Sequence, residues 1–139
     1  MINFNYETEF NLENEEAYAT WLGNVITTKK KKEGEINYIF CNDEYLHKIN
    51  MEYLAHDTLT DIISFDYSMG NELHGDIFVS IERVKDNATD FKVLFKEELK
   101  RVLVHGILHY CGYKDKGEAE ELVMRSKEDE KIAMFHVEQ

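Results

Sequence analysis

Two histidines four residues apart, a glycine and an acid form the stretch of this chain best suited to chemistry, with the pattern His105-x₃-His109-x₂-Gly112-x₂-Asp115. Apolar residues at helical spacing run from about 91 to 111 through Phe95, Leu99, Val102, Leu103 and Gly106, which predicts one long helix there. Four residues turn a helix by roughly 400°, so the rings of His105 and His109 project from nearly one line. Two imidazoles so placed can chelate one divalent ion. Gly112 admits the positive φ that ends a helix tightly, and the returning chain carries Asp115 toward the same ion. Two nitrogens and one carboxylate oxygen are the three-ligand set of a catalytic zinc site, whose open fourth position gives hydrolytic chemistry near neutral pH. The expected ligands are therefore His105, His109 and Asp115, around one zinc ion or another divalent metal. Each has a plainer alternative: the pair as an ordinary helix face, the acid as a cap on the last helix. Cys111 lies about 200° round the helix from His109 and reads as a buried thiol instead of a fourth ligand. His47, His56, His74 and His136 have no comparable partner spacing, and His47 and His136 read as surface residues.

The remaining elements must hold this helix. Residues 2–6 alternate and read as a strand. Residues 13–28 carry Tyr18, Trp21, Leu22, Val25 and Ile26 on one helical face, ended by the lysine run and Gly34. Residues 35–41 are β-branched and aromatic and read as a second strand. Asn42 or Asp43 can cap the next helix, with Leu46, Ile49, Tyr53 and Leu54 along one side. Residues 61–67 and 75–80 read as a hairpin around a polar turn at 68–74. Ser80 caps a short helix at 81–88, and a last helix covers about 117–134 with Leu122, Val123 and Met124 inward. Four strands and about five helices give an α+β domain with a zincin-like metal helix. The β-α-β start implies parallel pairing and the hairpin adds an antiparallel pair, so the sheet is expected to be mixed.

The chain has 139 residues, 43% hydrophobic and 32% charged, which suits one domain with one core. No apolar run approaches the roughly 20 residues of a membrane span. The start MINFNYETEF lacks the basic and apolar regions of a secretory signal, so the expected compartment is the cytoplasm. The two cysteines, Cys41 and Cys111, are read as reduced. A net charge of −12 argues against a general nucleic-acid binder. Any contact with phosphates rests on local cations, such as Lys29–Lys32, which otherwise read as a solvated helix end. Glu97, Glu98, Glu120 and Glu121 read as solvated helix faces.

The segment 105–115 resembles the metal-binding motif of the YbeY family of bacterial ribosomal RNA maturation endoribonucleases, His-Gly-x-Leu-His-x-x-Gly-Tyr-Asp-His. Thr60-Asp61-Ile62-Ile63-Ser64-Phe65 resembles the family's Thr-Asp-Val-Leu-Ser-Phe, and Gly75-Asp76-Ile77 its Gly-Asp-Ile. Asn50 and Tyr53 sit where the family has Leu-Asn-x-x-Tyr-Arg, and Met124 falls near its downstream methionine. The resemblance covers roughly residues 35–130. It implies a single zinc, a four-stranded mixed sheet surrounded by helices, and cleavage of single-stranded RNA. The implied setting is maturation of the 16S ribosomal RNA 3′ end on the small ribosomal subunit, with a role in ribosome quality control. Two departures stand out. Asp115 replaces the third histidine and is preceded by Lys114 instead of an acid. Its charge is expected to make bound water less acidic and to favour harder ions. Leu54 replaces an arginine tied to RNA cleavage, and a leucine cannot pair with phosphate; Lys114, Lys116 or His56 stand to compensate, Lys114 as a catalytic residue.

Two other functions remain open. A metalloprotease-like hydrolase shares the ligand spacing, but position 106 is Gly where the His-Glu-x-x-His proteases carry their glutamate. A ribosome-assembly factor with a mainly structural metal fits the missing arginine, the absence of an evident general base and the negative charge. Asp61 and Asp76 can orient a histidine from behind or serve as strand-end hydrogen-bond partners, and Ser64 and Thr60 are expected to line the groove. Oligomeric state is not legible.

Overall fold

The computed structural model describes residues 1–54 and 60–135. Four strands, β1 (Ile2–Tyr6), β2 (Lys32–Cys41), β3 (Ile62–Asp66) and β4 (Glu72–Ser80), alternate with five helices. The helices are α1 (Glu15–Thr28), α2 (Asp43–Leu54), α3 (Ile81–Phe91), α4 (Phe95–Tyr110) and α5 (Glu118–Ile132). The strand order is β1-β2-β4-β3. β1 and β4 flank β2 in parallel, and β3 pairs antiparallel with β4 at the edge. The mixed sheet expected from element order is the sheet observed.

Strand alternation divides the sheet into two faces. Ile36, Tyr38 and Phe40 of β2, with Leu73, Ile77 and Val79 of β4, face the main core. There they meet Leu22, Val25 and Ile26 of α1 and Leu99, Leu103 and Ile107 of α4. The opposite face holds a smaller cluster, Cys41, Leu46 and Ile63, under α2. Each fully buried aliphatic side chain contributes about 1.5–3 kcal/mol by leaving water, so α4, apolar on most of its surface, is the best-anchored helix. Close packing sets its register. Tyr38 donates its hydroxyl to the Leu103 carbonyl at 2.6 Å, and Tyr110 donates to the Phe65 carbonyl at 2.9 Å. At Gly106 a Cβ would stand 2.9 Å from Ile77 Cδ1 and 3.3 Å from Ile62 Cδ1, so glycine lets the helix lie directly on β3 and β4.

The boundaries depart from expectation where local chemistry competes. The break between the helices expected at 81–88 and 91–111 falls later: α3 runs on to Phe91, Lys92 takes a left-handed φ of 57°, and α4 starts at Phe95. Gly34 belongs to β2, and α1 ends at Thr28, with Lys29 as its C-cap and Lys30 left-handed at φ 58°. β4 begins at Glu72 instead of 75. Ser80 and Asn42 do cap as expected, accepting from the amides of Arg83 and Tyr45 at 3.2 and 2.8 Å. Leu122 and Val123, expected inward, are exposed, as are Tyr53 and Leu54; α5 buries Met124, Glu128 and Lys131. Three polar contacts explain that choice. The Trp21 indole donates to the Lys131 carbonyl at 2.7 Å, Lys131 Nζ donates to Thr28 Oγ1 at 3.1 Å, and Glu128 meets α4. None of the described helices is long and apolar enough to cross a membrane.

Candidate metal centre

A polar stripe interrupts the apolar surface of α4: Glu98, Arg101, His105 and His109, at intervals of three or four residues. This spacing puts them on one helical line. The line faces a cavity of about 390 Å³. Thr60, Asp61, Ile62 and Ser64 form one wall, at and just before the start of β3, and Arg125 and Glu128 of α5 form another. α3 closes one end with Asn87 and Phe91.

Gly112, at φ 102°, ends α4 as expected. Its amide and that of Tyr113 return to the carbonyls of His109 and Leu108 at 3.0 and 3.1 Å. The reversed chain sets Asp115 against the two rings. His105 Nε2 and His109 Nε2 are 2.9 Å apart, and Asp115 Oδ2 lies 3.2 and 3.5 Å from them. His105, His109 and Asp115 are the one group among the described residues whose ligand atoms converge in this way. Asp115 does not cap α5, whose first turn is preceded by Gly117.

The triangle fits a divalent ion. Ligands about 2.0–2.1 Å from a tetrahedral centre stand about 3.3 Å from one another, close to the three separations found. Electrostatics favour positive charge at the same point. Burial pulls the His105 imidazole toward its neutral form, but the hydrogen bond and charge of Glu128, with the charges of Asp115 and Asp61, outweigh it and raise its pKa above the ordinary histidine value. Asp115 keeps 41% of its side chain exposed and His109 31%, so the side of the triangle away from α4 is reachable.

Glu128 was not legible as a functional residue. It is 4% exposed, and its Oε2 lies 2.6 Å from His105 Nδ1 while Oε1 accepts from Arg101 at 2.8 Å. Arg101 also pairs with Asp129. The available signal was its place four residues after Met124, on the buried side of α5. Glu98, expected on a solvated face, is 5% exposed and lines the cavity. Burial raises its pKa, and the Asp61 charge raises it further. Asp61 is also raised by burial, and Asn87 donates to its Oδ2 at 3.3 Å. Asp76 stands apart, on the other face of the sheet, where Asn37 donates to it at 3.1 Å; it touches neither histidine. Thr60 and Ser64 line the cavity as expected. Lys114 and Lys116 are exposed and outside its lining, which instead contains Arg101 and Arg125. Lys29 of the lysine run donates to the Tyr113 hydroxyl and lies over its ring at 4.7 Å. Cys111 is a free, half-buried thiol, and Cys41 a free, buried one. His47 is half-buried, whereas His56 and His136 lie outside the described residues.

Comparison with known proteins agrees with this geometry. The chain is 76% identical to a Flavobacterium johnsoniae protein named Endoribonuclease YbeY, with all of both chains covered. It is 61% identical to a Christiangramia forsetii protein of that name (99% of this chain, 96% of that one) and 49% to one from Bacteroides fragilis (82% of each). A solution structure of a Thermotoga maritima protein shares the fold at 25% identity and a TM-score of 0.66, over 95% of this chain and 89% of that one. The profile of the family described as Endoribonuclease YbeY matches residues 2–136, and the chain belongs to that family.

Proposed function

We propose that this protein is a metal-dependent endoribonuclease that cuts single-stranded RNA, acting in the cytoplasm on the small ribosomal subunit. In this reading it matures the 16S ribosomal RNA 3′ end and serves ribosome quality control. His105, His109 and Asp115 hold one ion, zinc first among divalent metals. The observation that carries the reading is their convergence beside a groove open to solvent. When bound there, a divalent ion supplies a Lewis acid for a phosphoryl oxygen and a hydrolytic nucleophile near neutral pH.

The chain's own residues do the rest. Glu128 holds the proton on His105 Nδ1 and so leaves Nε2 as the ligand atom. Arg101 is engaged by Glu128 and Asp129, which leaves Arg125 as the exposed groove cation for a phosphate. This assigns to Arg125 the contact that Leu54 cannot make, in place of Lys114. Asp61, raised by burial, keeps a proton to higher pH than an exposed carboxyl and is the group suited to protonate the leaving oxygen.

The metalloprotease-like reading fails on packing. Position 106 carries no glutamate, and a Cβ there would stand 2.9 Å from Ile77 Cδ1 and 3.3 Å from Ile62 Cδ1, so the close packing of α4 on the sheet favours glycine. The reading as an assembly factor with a structural metal draws on Leu54 in place of the arginine, the absence of an evident general base and the net charge of −12. A precursor RNA carrying the 16S 3′ end separates the two. Wild type is expected to cleave it only with divalent metal, and His109→Ala not at all. A folded His109→Ala protein that still supports maturation leaves the metal a structural role.

A further inference from the structure

A second cavity, of about 560 Å³, opens on the sheet face opposite α4. Among the described residues, α2 is the helix that packs on that face. Tyr45, Lys48 and Tyr53 of α2 form one wall, and Phe65, Asp76 and Phe78 of the sheet form the floor. Its surfaces are aromatic. Phe65 packs edge-on against Tyr53 and Phe78, with ring centroids 6.0 and 5.9 Å apart, and Tyr45 lies over Phe78 at 6.3 Å. Tyr53 is 68% and Tyr45 38% exposed, so two rings have apolar area left for a flat ligand.

A polar row borders the rings. Asn3, Asn37 and Asp76 are in register across β1, β2 and β4. Asn3 donates to Asn37 at 3.0 Å, and Asn37 donates to Asp76 Oδ1 at 3.1 Å. This chain of donors ends on a carboxylate, an acceptor-only group that calls for N–H donors from its ligand. With Glu52 also present against one Lys48, the lining is poorly suited to a phosphate. It suits an uncharged aromatic ring that carries amino groups, which is the chemistry of a nucleobase.

The cavity also adjoins the metal groove. β3 is the edge strand, and its consecutive residues Ser64 and Phe65 line the groove and this cavity respectively. A single strand passing over that edge reaches both.

We propose that the α2-side cavity is a base-binding subsite, in which Tyr45 and Tyr53 stack an amino-bearing base of the RNA strand and Asp76 accepts from its edge, guanine being preferred to uracil. The subsite rests on the endoribonuclease reading above. The test uses the full chain in chelator, so that no cleavage competes, with a short labelled uracil-only RNA and the same RNA carrying guanines. Tyr45→Ala and Tyr53→Ala are each expected to weaken binding of the guanine RNA about fivefold to 100-fold. The salt dependence stays unchanged because no ionic contact is lost. Tyr53→Phe keeps the affinity, and Asp76→Ala erases the preference for guanine. Unchanged affinity in both alanine variants, with wild type binding RNA, overturns the subsite alone. Variants that bind RNA normally but lose association with a small-subunit protein make the cavity a protein site and equally overturn it. A wild type that does not bind single-stranded RNA in chelator and does not cut it once divalent metal is restored defeats the endoribonuclease reading itself.

Discussion

Replacing Glu128 with glutamine isolates the control of His105 from the ligands themselves. The carboxylate is 4% exposed, lies 2.6 Å from His105 Nδ1 and is paired with Arg101 at 2.8 Å. Glutamine keeps the shape and can still accept through its amide oxygen. What it loses is the negative charge, and with it part of the basicity of the ligating nitrogen and one partner of a mostly buried guanidinium. Carboxylate partners behind metal-bound histidines are worth about 10–100-fold in metal affinity, or about 1.4–2.7 kcal/mol. Arg101 retains Asp129, so the fold is expected to survive. Alanine removes both hydrogen bonds and adds a stability loss of about 2–3 kcal/mol. Competition with a metal indicator, run beside a thermal melt without metal, separates the two effects. A glutamine variant that is folded and binds metal as tightly as wild type would refute the reasoning, because His105 would then need no partner behind it.

Three further outcomes follow from the same geometry. Arg125→Ala should weaken binding of single-stranded RNA and lower the log–log salt slope by about 0.7, the contribution of one phosphate contact; titrations at several salt concentrations read it. Gly106→Glu should lower the melting temperature through overpacking of about 1–3 kcal/mol or more and bring no peptide cleavage, checked by calorimetry and a casein assay. Burial raises the Cys41 pKa to about 12 and also raises that of Cys111. Both thiols are therefore neutral at mild alkaline pH, and iodoacetamide should label them slowly until denaturant is added, as mass spectrometry would show.

The elements and the convergence of His105, His109 and Asp115 were legible because each has a strong local cause. The His105–His109 line follows from helical repeat, and the return of Asp115 follows from Gly112. Mixed pairing followed from the order of strands and helices. The losses came where tertiary contacts outweigh pattern. Leu122 and Val123 look like the inner side of α5, but the Trp21, Lys131 and Glu128 contacts turn the helix so that a lysine and a glutamate are buried instead. Glu98 reads as a solvent residue and Glu128 carries no signal of its own, because burial of an acid depends on partners from other elements, Arg101 and His105 for Glu128. Asp61 and Asp76 looked equivalent at strand edges, yet Asp76 lies within β4 on the α2 side, beside Asn37, whereas Asp61 lies just before β3, outside its alternation, and lines the groove. The groove arginines come from two helices and share no motif with the histidines.

The central claim is that His105, His109 and Asp115 jointly hold the ion on which RNA cleavage depends. Elemental analysis of purified wild type and of the three single alanine variants, followed by RNA cleavage on the same samples, tests it most directly. One divalent ion per wild-type chain is expected, with ion and cleavage lost together in each variant. An Asp115→Ala protein that keeps a full complement of metal and full cleavage, or a metal-free wild type that cuts RNA at the loaded rate, would contradict it.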